Sequence, residues 1–212
     1  MRSKFDKQLQ NLNNEMIDMS NLIVANITAA IKAMKEKDRE LAHAIYEKDS
    51  EVDSAQKRIE SLCFDLLVQQ QPVARDLRTI TAAMKMVTDM ERIGDHAADI
   101  SEITESMGDS SHIEKFDHIS KMSAETMLML TSAIESYVER DPDKANWVIG
   151  HDDVVDELFE AAKKDVIALI TSTPAAGEEA TDLLMIAKYF ERIGDHATNI
   201  AEWVLFSIKQ SY

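Results

Sequence analysis

Apolar residues recur along this chain at spacings of three and four positions, which is the pattern of amphipathic helices. After Pro72, for example, Leu77, Ile80, Met84 and Val87 fall on one helical face. The 212 residues include only five Gly and three Pro, so tight turns must be rare. We therefore predict an all-α fold built from long helices.

Breaks in this pattern divide the chain into six helices. At the first break, Glu36-Lys37-Asp38, Asp38 can cap the helix that follows. Pro72 fits the first turn of the third helix, where its missing N–H costs nothing. Polar residues 108–111 form the break after that helix. The predicted helices are approximately residues 4–35, 38–68, 72–107, 113–139, 142–170 and 174–209.

The second half of the chain repeats the first. Residues 36–38 (Glu-Lys-Asp) correspond to residues 139–141 (Glu-Arg-Asp), and the heptapeptide ERIGDHA occurs both at 91–97 and at 191–197. Such self-similarity is the signature of a duplicated structural unit. We predict two tandem, pseudo-symmetric three-helix bundles of long helices, residues 1–108 and 109–212.

Acidic residues interrupt the apolar rows of these helices. Asp152 stands in an otherwise apolar row of the fifth helix, Asp49 is its counterpart in the second, and Glu91 continues the apolar row of the third. Each has another carboxylate four residues later, and like charges at that spacing repel. Bound cations, arginines such as Arg92 and Arg192, or a shifted protonation state are the available forms of compensation.

Carboxylate oxygens are preferred ligands of hard and borderline metal ions, and bundles build such sites from facing helices. We therefore predict that the second and third helices of each unit jointly bind metal. Asp99 extends the first site and is matched by Asn199 in the second copy, so the two sites should differ. The alternative is a set of solvated faces with salt bridges. The candidate ligands are Asp49, Asp53, Glu91, Asp95, Asp99, Asp152, Asp156, Glu191 and Asp195.

The repeated heptapeptide also contains a glycine and a histidine. Glycine inside a helix costs about 0.5–1 kcal/mol relative to alanine, so Gly94 and Gly194 indicate close approach by a ligand or a neighbouring backbone, or plain helix packing. His96 and His196 point about 100° away from the adjacent aspartate on a helix. They are predicted to lie behind the ligands or at the surface.

Composition narrows the function classes. The net charge of −16 and the pI near 4.7 repel nucleic-acid phosphates and anionic membrane surfaces, so neither partner is expected. We see no signal peptide and no membrane-spanning segment, which predicts a cytoplasmic protein. Cys63 lies on an apolar stripe and is interpreted as a buried thiol.

No phosphate loop and no nucleophile–base pair is recognisable, so we predict a non-enzyme, with a carboxylate-bridged metal enzyme or a metal store as alternatives.

Residues 89–97 (DMERIGDHA), their second copy and residues 70–78 (QQPVARDLR) resemble the PhoU family of phosphate-uptake regulators. The resemblance implies a cytoplasmic negative regulator of the phosphate-starvation response, an adaptor between a phosphate ABC transporter ATPase and a sensor histidine kinase. It also implies iron or zinc clusters on the Glu/Asp-x-x-x-Asp pairs, and magnesium or manganese would suit the same oxygen ligands.

The resemblance leaves some points open. Accessory regulators of other anion transporters share this bundle, so phosphate itself rests on the resemblance. Where the first copy has Arg75 and Arg78, the second has residues 175–179 (AAGEE), so any partner contact made by these arginines is expected in one half only. We expect a homodimer, although no apolar stripe identifies its interface.

Overall fold

The computed structural model describes residues 2–70, 72–107 and 117–208, and within these ranges the chain is helical with no strand. The all-α prediction is confirmed. The described residues form seven α-helices, with a single 3-10 turn at Pro174–Ala176: α1 (Arg2–Glu36), α2 (Arg39–Glu47), α3 (Asp49–Gln70), α4 (Ala74–Ser106), α5 (Asp117–Glu139), α6 (Pro142–Ser172) and α7 (Gly177–Ile208).

The helices form two tandem bundles, as the repeat predicts. In the first bundle α1 packs against α2, α3 and α4, and in the second bundle α5, α6 and α7 pack against one another. Helices α4 and α7 lie side by side and join the halves into one continuous apolar core. Cys63 is fully buried in that core. The predicted boundary at residues 108/109 lies outside the described ranges.

The same turn ends the first long helix of each half. Lys37 and Arg140 both adopt a left-handed conformation with φ of 56°. The N–H groups of Asp38 and Asp141 then donate to carbonyls five residues earlier, at 2.9 and 3.0 Å, which is the pairing that satisfies a helix C-terminus. The Asp38 carboxylate accepts from the Leu41 N–H at 2.9 Å, so its predicted capping role is confirmed.

The second helix is not continuous, and its prediction as one helix over 38–68 is wrong. The chain turns at Lys48, whose N–H donates to the carbonyls of Ile45 and Tyr46 instead of continuing the helical ladder. Asp49 thereby becomes the first residue of α3. Negative charge is favoured at a helix N-terminus because the free backbone N–H groups point there. The corresponding α6 passes through Asp152 without a break.

The two prolines that precede the third helix of each half also differ from prediction. Pro72 lies before the helix, since α4 begins at Ala74 and the extended Val73 is its N-cap. Pro174 begins a 3-10 turn, and α7 starts only at Gly177. Thr173, the residue before Pro174, is outside the α-helical conformation, as expected before a proline. Val73, the extended N-cap of α4, follows Pro72.

The apolar face of α4 is shifted relative to the predicted stripe. Ile80 and Val87 are fully buried, but Leu77 is 46% exposed and Met84 36% exposed. The buried surface is broader than one stripe because α4 contacts α1, α2 and α3 on one side and α7 on the other. Every helix retains polar positions, and none in the described ranges is long and apolar enough to cross a bilayer.

Candidate metal centre

Three carboxylates from α3 and α4 converge on one point. Asp49 begins α3, Asp53 follows one turn later, and Asp95 faces them from α4. One oxygen from each lies within 4.8 Å of the other two, and all three residues are partly buried. A divalent cation with metal–oxygen distances of about 2.0–2.6 Å fits among oxygens spaced in this way. The donor set is therefore suited to a hard or borderline metal ion.

Electrostatic repulsion within this group is not fully compensated by the protein. Burial, followed by the negative charges of Asp95 and Asp53, raises the pKa of Asp49. Burial likewise raises the pKa of Asp95, although Arg92 opposes the effect. Raised pKa values mean that the ionised carboxylates are disfavoured here. A bound cation would relieve that cost.

Arg92 covers the edge of the cluster. Its Nη1 lies 3.1 Å from Asp95 Oδ2 and its Nε lies 3.6 Å from Glu91 Oε2, while its side chain is 54% exposed. Burial and the charge of Asp95 raise the pKa of Glu91. Glu91 is thus beside the group of three rather than a member of it.

Asp99 is also adjacent to the cluster but has another partner. Its charge contributes to the raised pKa of Asp49, which places it near the three carboxylates. Its Oδ2 lies 3.1 Å from His96 Nδ1 on the preceding turn of α4. Asp99 therefore connects the candidate metal centre to a buried histidine.

The second acidic cluster is looser. Asp152, Asp156, Glu191 and Asp195 influence one another electrostatically, yet within the described part of the chain they form no group as compact as the first. Burial, then the charges of Asp195 and Asp156, raise the pKa of Asp152 to about 6.

A lysine enters the second cluster. Lys188 Nζ lies 2.6 Å from Glu191 Oε1, and Glu191 is only 14% exposed. The other oxygen, Oε2, is buried without a hydrogen-bond partner among the described residues. An open pocket of about 380 Å³ adjoins this point and is lined by Asp152, Lys188, Arg192, Asp195, His196, Thr198 and Asn199.

The two repeated glycines occupy unequal spaces. A β-carbon on Gly94 would lie 2.8 Å from Val52 Cγ1, closer than packing allows, so this glycine serves the contact between α3 and α4. A β-carbon on Gly194 would lie 3.4 Å from Asp152 Oδ1 and 3.5 Å from Val155 Cγ1. Helix packing explains Gly94, whereas Gly194 leaves almost enough room for alanine.

The repeated histidines lie between the two halves, where His96 is buried and His196 lines the open pocket. The rings of His96 and His196 face each other across α4 and α7, with centroids 5.7 Å apart. His96 is 7% exposed, stacks on Tyr189 at 5.3 Å, and its Nε2 is buried without a partner in the described ranges. The prediction that they lie outside the ligand group agrees with this geometry, and a surface position is wrong for His96.

Departures from the internal repeat complete this interface. Asp89 Oδ1 lies 2.9 Å from His196 Nδ1 and accepts from Asn199 Nδ2 at 3.0 Å. Tyr189 occupies the place equivalent to Asp89, so His96 stacks on a ring and pairs with Asp99 of its own helix. None of the residues Asp89, Tyr189 and Lys188 is predicted from the sequence as a functional residue. In the sequence, each of these residues differs from the residue 100 positions away in the other copy of the repeat.

Comparison with known proteins agrees with this architecture. A profile of the PhoU domain matches residues 16–104 and 119–204. A phosphate-specific transport system accessory protein PhoU homolog of Clostridium acetobutylicum is 34% identical over 208 residues, covering 98% of this chain and 95% of its own. A homolog of the same description from a Burkholderia species is 30% identical over 212 residues, covering 99% and 90%.

Solved structures show the same fold. The crystal structure of PhoU from Pseudomonas aeruginosa matches with a TM-score of 0.90 at 26% identity, covering 96% of this chain and 98% of that one. That of the phosphate transport system regulatory protein PhoU from Streptococcus pneumoniae matches with a TM-score of 0.87, again at 26% identity, covering 96% of each chain. The family resemblance is confirmed, and this chain belongs to the PhoU family.

Proposed function

We propose that this protein is a metal-binding accessory regulator of phosphate uptake, a negative regulator of the phosphate-starvation response. The observation that carries the metal-binding part is the convergence of Asp49, Asp53 and Asp95 within 4.8 Å of one another. Membership of the PhoU family and the printed role of its relatives, accessory proteins of phosphate-specific transport, support the regulatory part.

The first cluster is the principal metal site in this proposal. Asp49, Asp53 and Asp95 supply the ligand oxygens, and Glu91 and Asp99 stand beside them for a second ion or for a wider coordination shell. An all-oxygen set favours Mg²⁺, Mn²⁺ or iron over softer ions, and Zn²⁺ also accepts carboxylates. The ion supplies positive charge that fixes α3 against α4. Asp152, Asp156, Glu191 and Asp195 form the second site.

The partners follow from the family relationship. We propose that the protein acts in the cytoplasm, without catalysis of its own, between the ATPase of a phosphate ABC transporter and a sensor histidine kinase. The net charge of −16 disfavours nucleic acid as a partner. We also propose a homodimer, and light scattering during size-exclusion chromatography would contradict this by returning the 23.9 kDa mass of one chain.

Deletion of the gene from the source organism tests the regulatory role. Phosphate-starvation genes should become active in high phosphate, and the intact gene should restore repression. The gene carrying Asp53→Asn should restore it less well than one carrying Glu51→Gln, an exposed residue of the same helix. Unchanged repression after deletion would contradict the assignment. Metal-dependent turnover of a phosphorylated substrate, abolished by Asp95→Asn, would instead favour the enzyme alternative.

A further inference from the structure

Two positions distinguish the acidic clusters of the two halves. Lys188 stands one turn before Glu191, and the matching residue 100 positions earlier is Thr88. Phe159 stands on α6 beside the cluster, and its match 103 positions earlier is Gln56. Both departures occur in the second half, and the two residues touch each other.

Phe159 and Glu191 together hold the lysine in place. Lys188 Nζ lies 5.2 Å from the centre of the Phe159 ring, within the range of a cation–π contact. The same nitrogen lies 2.6 Å from Glu191 Oε1. Its charge acts beyond this pair, because it opposes the burial and repulsion that raise the pKa of Asp156 and of Asp195. The ammonium thus pairs directly with one carboxylate of the cluster, Glu191.

No such ammonium exists at the equivalent point of the first cluster. Thr88 is exposed, and its hydroxyl donates to the carbonyl of Met84 on its own helix at 3.4 Å. The first cluster has a cation of its own, Arg92, which pairs with Asp95 and Glu91 from the edge and is 54% exposed. The difference between the clusters is therefore the ammonium of Lys188, not the presence of a cation. The compact group of three carboxylates occurs in the half that lacks the lysine.

We propose that Lys188 is a built-in counter-ion that takes the place of a metal in the second acidic cluster, so that metal binds first and most tightly at Asp49, Asp53 and Asp95. A tethered ammonium offsets carboxylate repulsion without an external ion, and an incoming cation must either displace it or bind beside a like charge. The metal part of this inference rests on the proposed function; the counter-ion part does not.

Reciprocal exchange of the two residues tests the inference. Lys188→Thr should raise the affinity of the second cluster for Mn²⁺ about tenfold or more, because a like charge is removed. Thr88→Lys should lower the affinity of the first cluster by a similar factor. Equilibrium dialysis with Mn²⁺ gives both numbers, and an Asp53→Asn background removes the first site so that the second is measured alone.

Lys163→Thr is the matched control. Lys163 contacts the same Phe159 ring, at 5.7 Å, but pairs with the exposed Glu160 rather than with a candidate ligand. Its replacement should leave Mn²⁺ binding unchanged. An Mn²⁺ affinity of the second cluster that is equal in Lys188→Thr and Lys163→Thr would overturn the metal part of the inference.

Melting temperatures measured without metal test the counter-ion role of Lys188 independently of the metal proposal. In EDTA at pH 7, Lys188→Thr should lower the melting temperature by about 2–4 °C relative to Lys163→Thr, since the partly buried Glu191 loses its counter-ion. Equal melting temperatures would overturn the counter-ion role. Failure of the wild-type protein to bind Mn²⁺ would overturn the metal proposal, and the melting temperatures would still decide the role of Lys188.

Discussion

Gly94 lies directly against Val52, so that a β-carbon at position 94 would come within 2.8 Å of Val52 Cγ1. This contact sets the distance between α3 and α4, the two helices that carry Asp49, Asp53 and Asp95. The glycine of the repeated heptapeptide therefore acts on the candidate metal centre through helix packing.

Gly94→Ala should destabilise the protein. Overpacking a close contact costs about 1–3 kcal/mol, which exceeds the gain of about 0.5–1 kcal/mol from replacing a helical glycine by alanine. We expect a net loss of about 0.5–2 kcal/mol in the free energy of unfolding, measured by urea denaturation.

Gly194→Ala is the matched control, because its β-carbon would keep 3.4 Å from Asp152 and 3.5 Å from Val155. Its effect should be neutral or stabilising. The double variant Gly94→Ala/Val52→Ala should be less unstable than the two single losses added together. Equal effects of the two glycine substitutions would contradict the packing argument.

Asp152 should make stability depend on pH. Its pKa is raised to about 6 in the folded protein, above the ordinary aspartate value of 3.8, so protonation favours folding. This contribution is complete below about pH 4 and is lost as the pH rises through 6. In EDTA, Asp152→Asn should therefore gain stability relative to wild type between pH 4 and pH 7. A difference in unfolding free energy that stays constant over this range would contradict the raised pKa.

Asp89→Ala should weaken the junction of the two halves. The substitution removes the acceptor of both His196 and Asn199 and leaves two partly buried donors unpaired, at a cost of about 1–3 kcal/mol. Glu160→Ala, which breaks an exposed pair with Lys163, should cost less than about 1 kcal/mol. Calorimetric unfolding of both variants makes the comparison. Equal losses would mean that the Asp89 contacts contribute no more than a surface ion pair.

Much of this architecture is encoded in local patterns. Periodicity and the Asp38 cap predict the helices, and the acidic pairs predict that the second and third helices of each half face each other, as Asp49 and Asp95 do. The turn at Lys48 could not be predicted, because it involves a changed hydrogen bond without glycine or proline.

The junction of the halves was equally inaccessible to periodicity. Periodicity shows which face of a helix is apolar, but it does not show which helix packs against that face. The pairing of α4 with α7, and the contact of His96 with His196 that results from it, are therefore known only from the structure. Exposure of Leu77 and Met84 has the same origin, since contacts with α1, α2, α3 and α7, rather than with one helix, decide which face of α4 is buried. Lys188 was detectable as a departure from the repeat, but its ion pair with Glu191 was not.

The decisive experiment for the metal centre is isothermal titration calorimetry with Mn²⁺. It compares metal-free Asp53→Asn with wild type and Glu51→Gln. The wild-type protein and Glu51→Gln should bind with equal affinity, and Asp53→Asn should bind more than about tenfold more weakly. Metal-free Asp53→Asn should be no less stable than wild type, because it loses a charge that raises the pKa of Asp49. Equal Mn²⁺ affinity of all three proteins would contradict the assignment of Asp49, Asp53 and Asp95 as the metal centre.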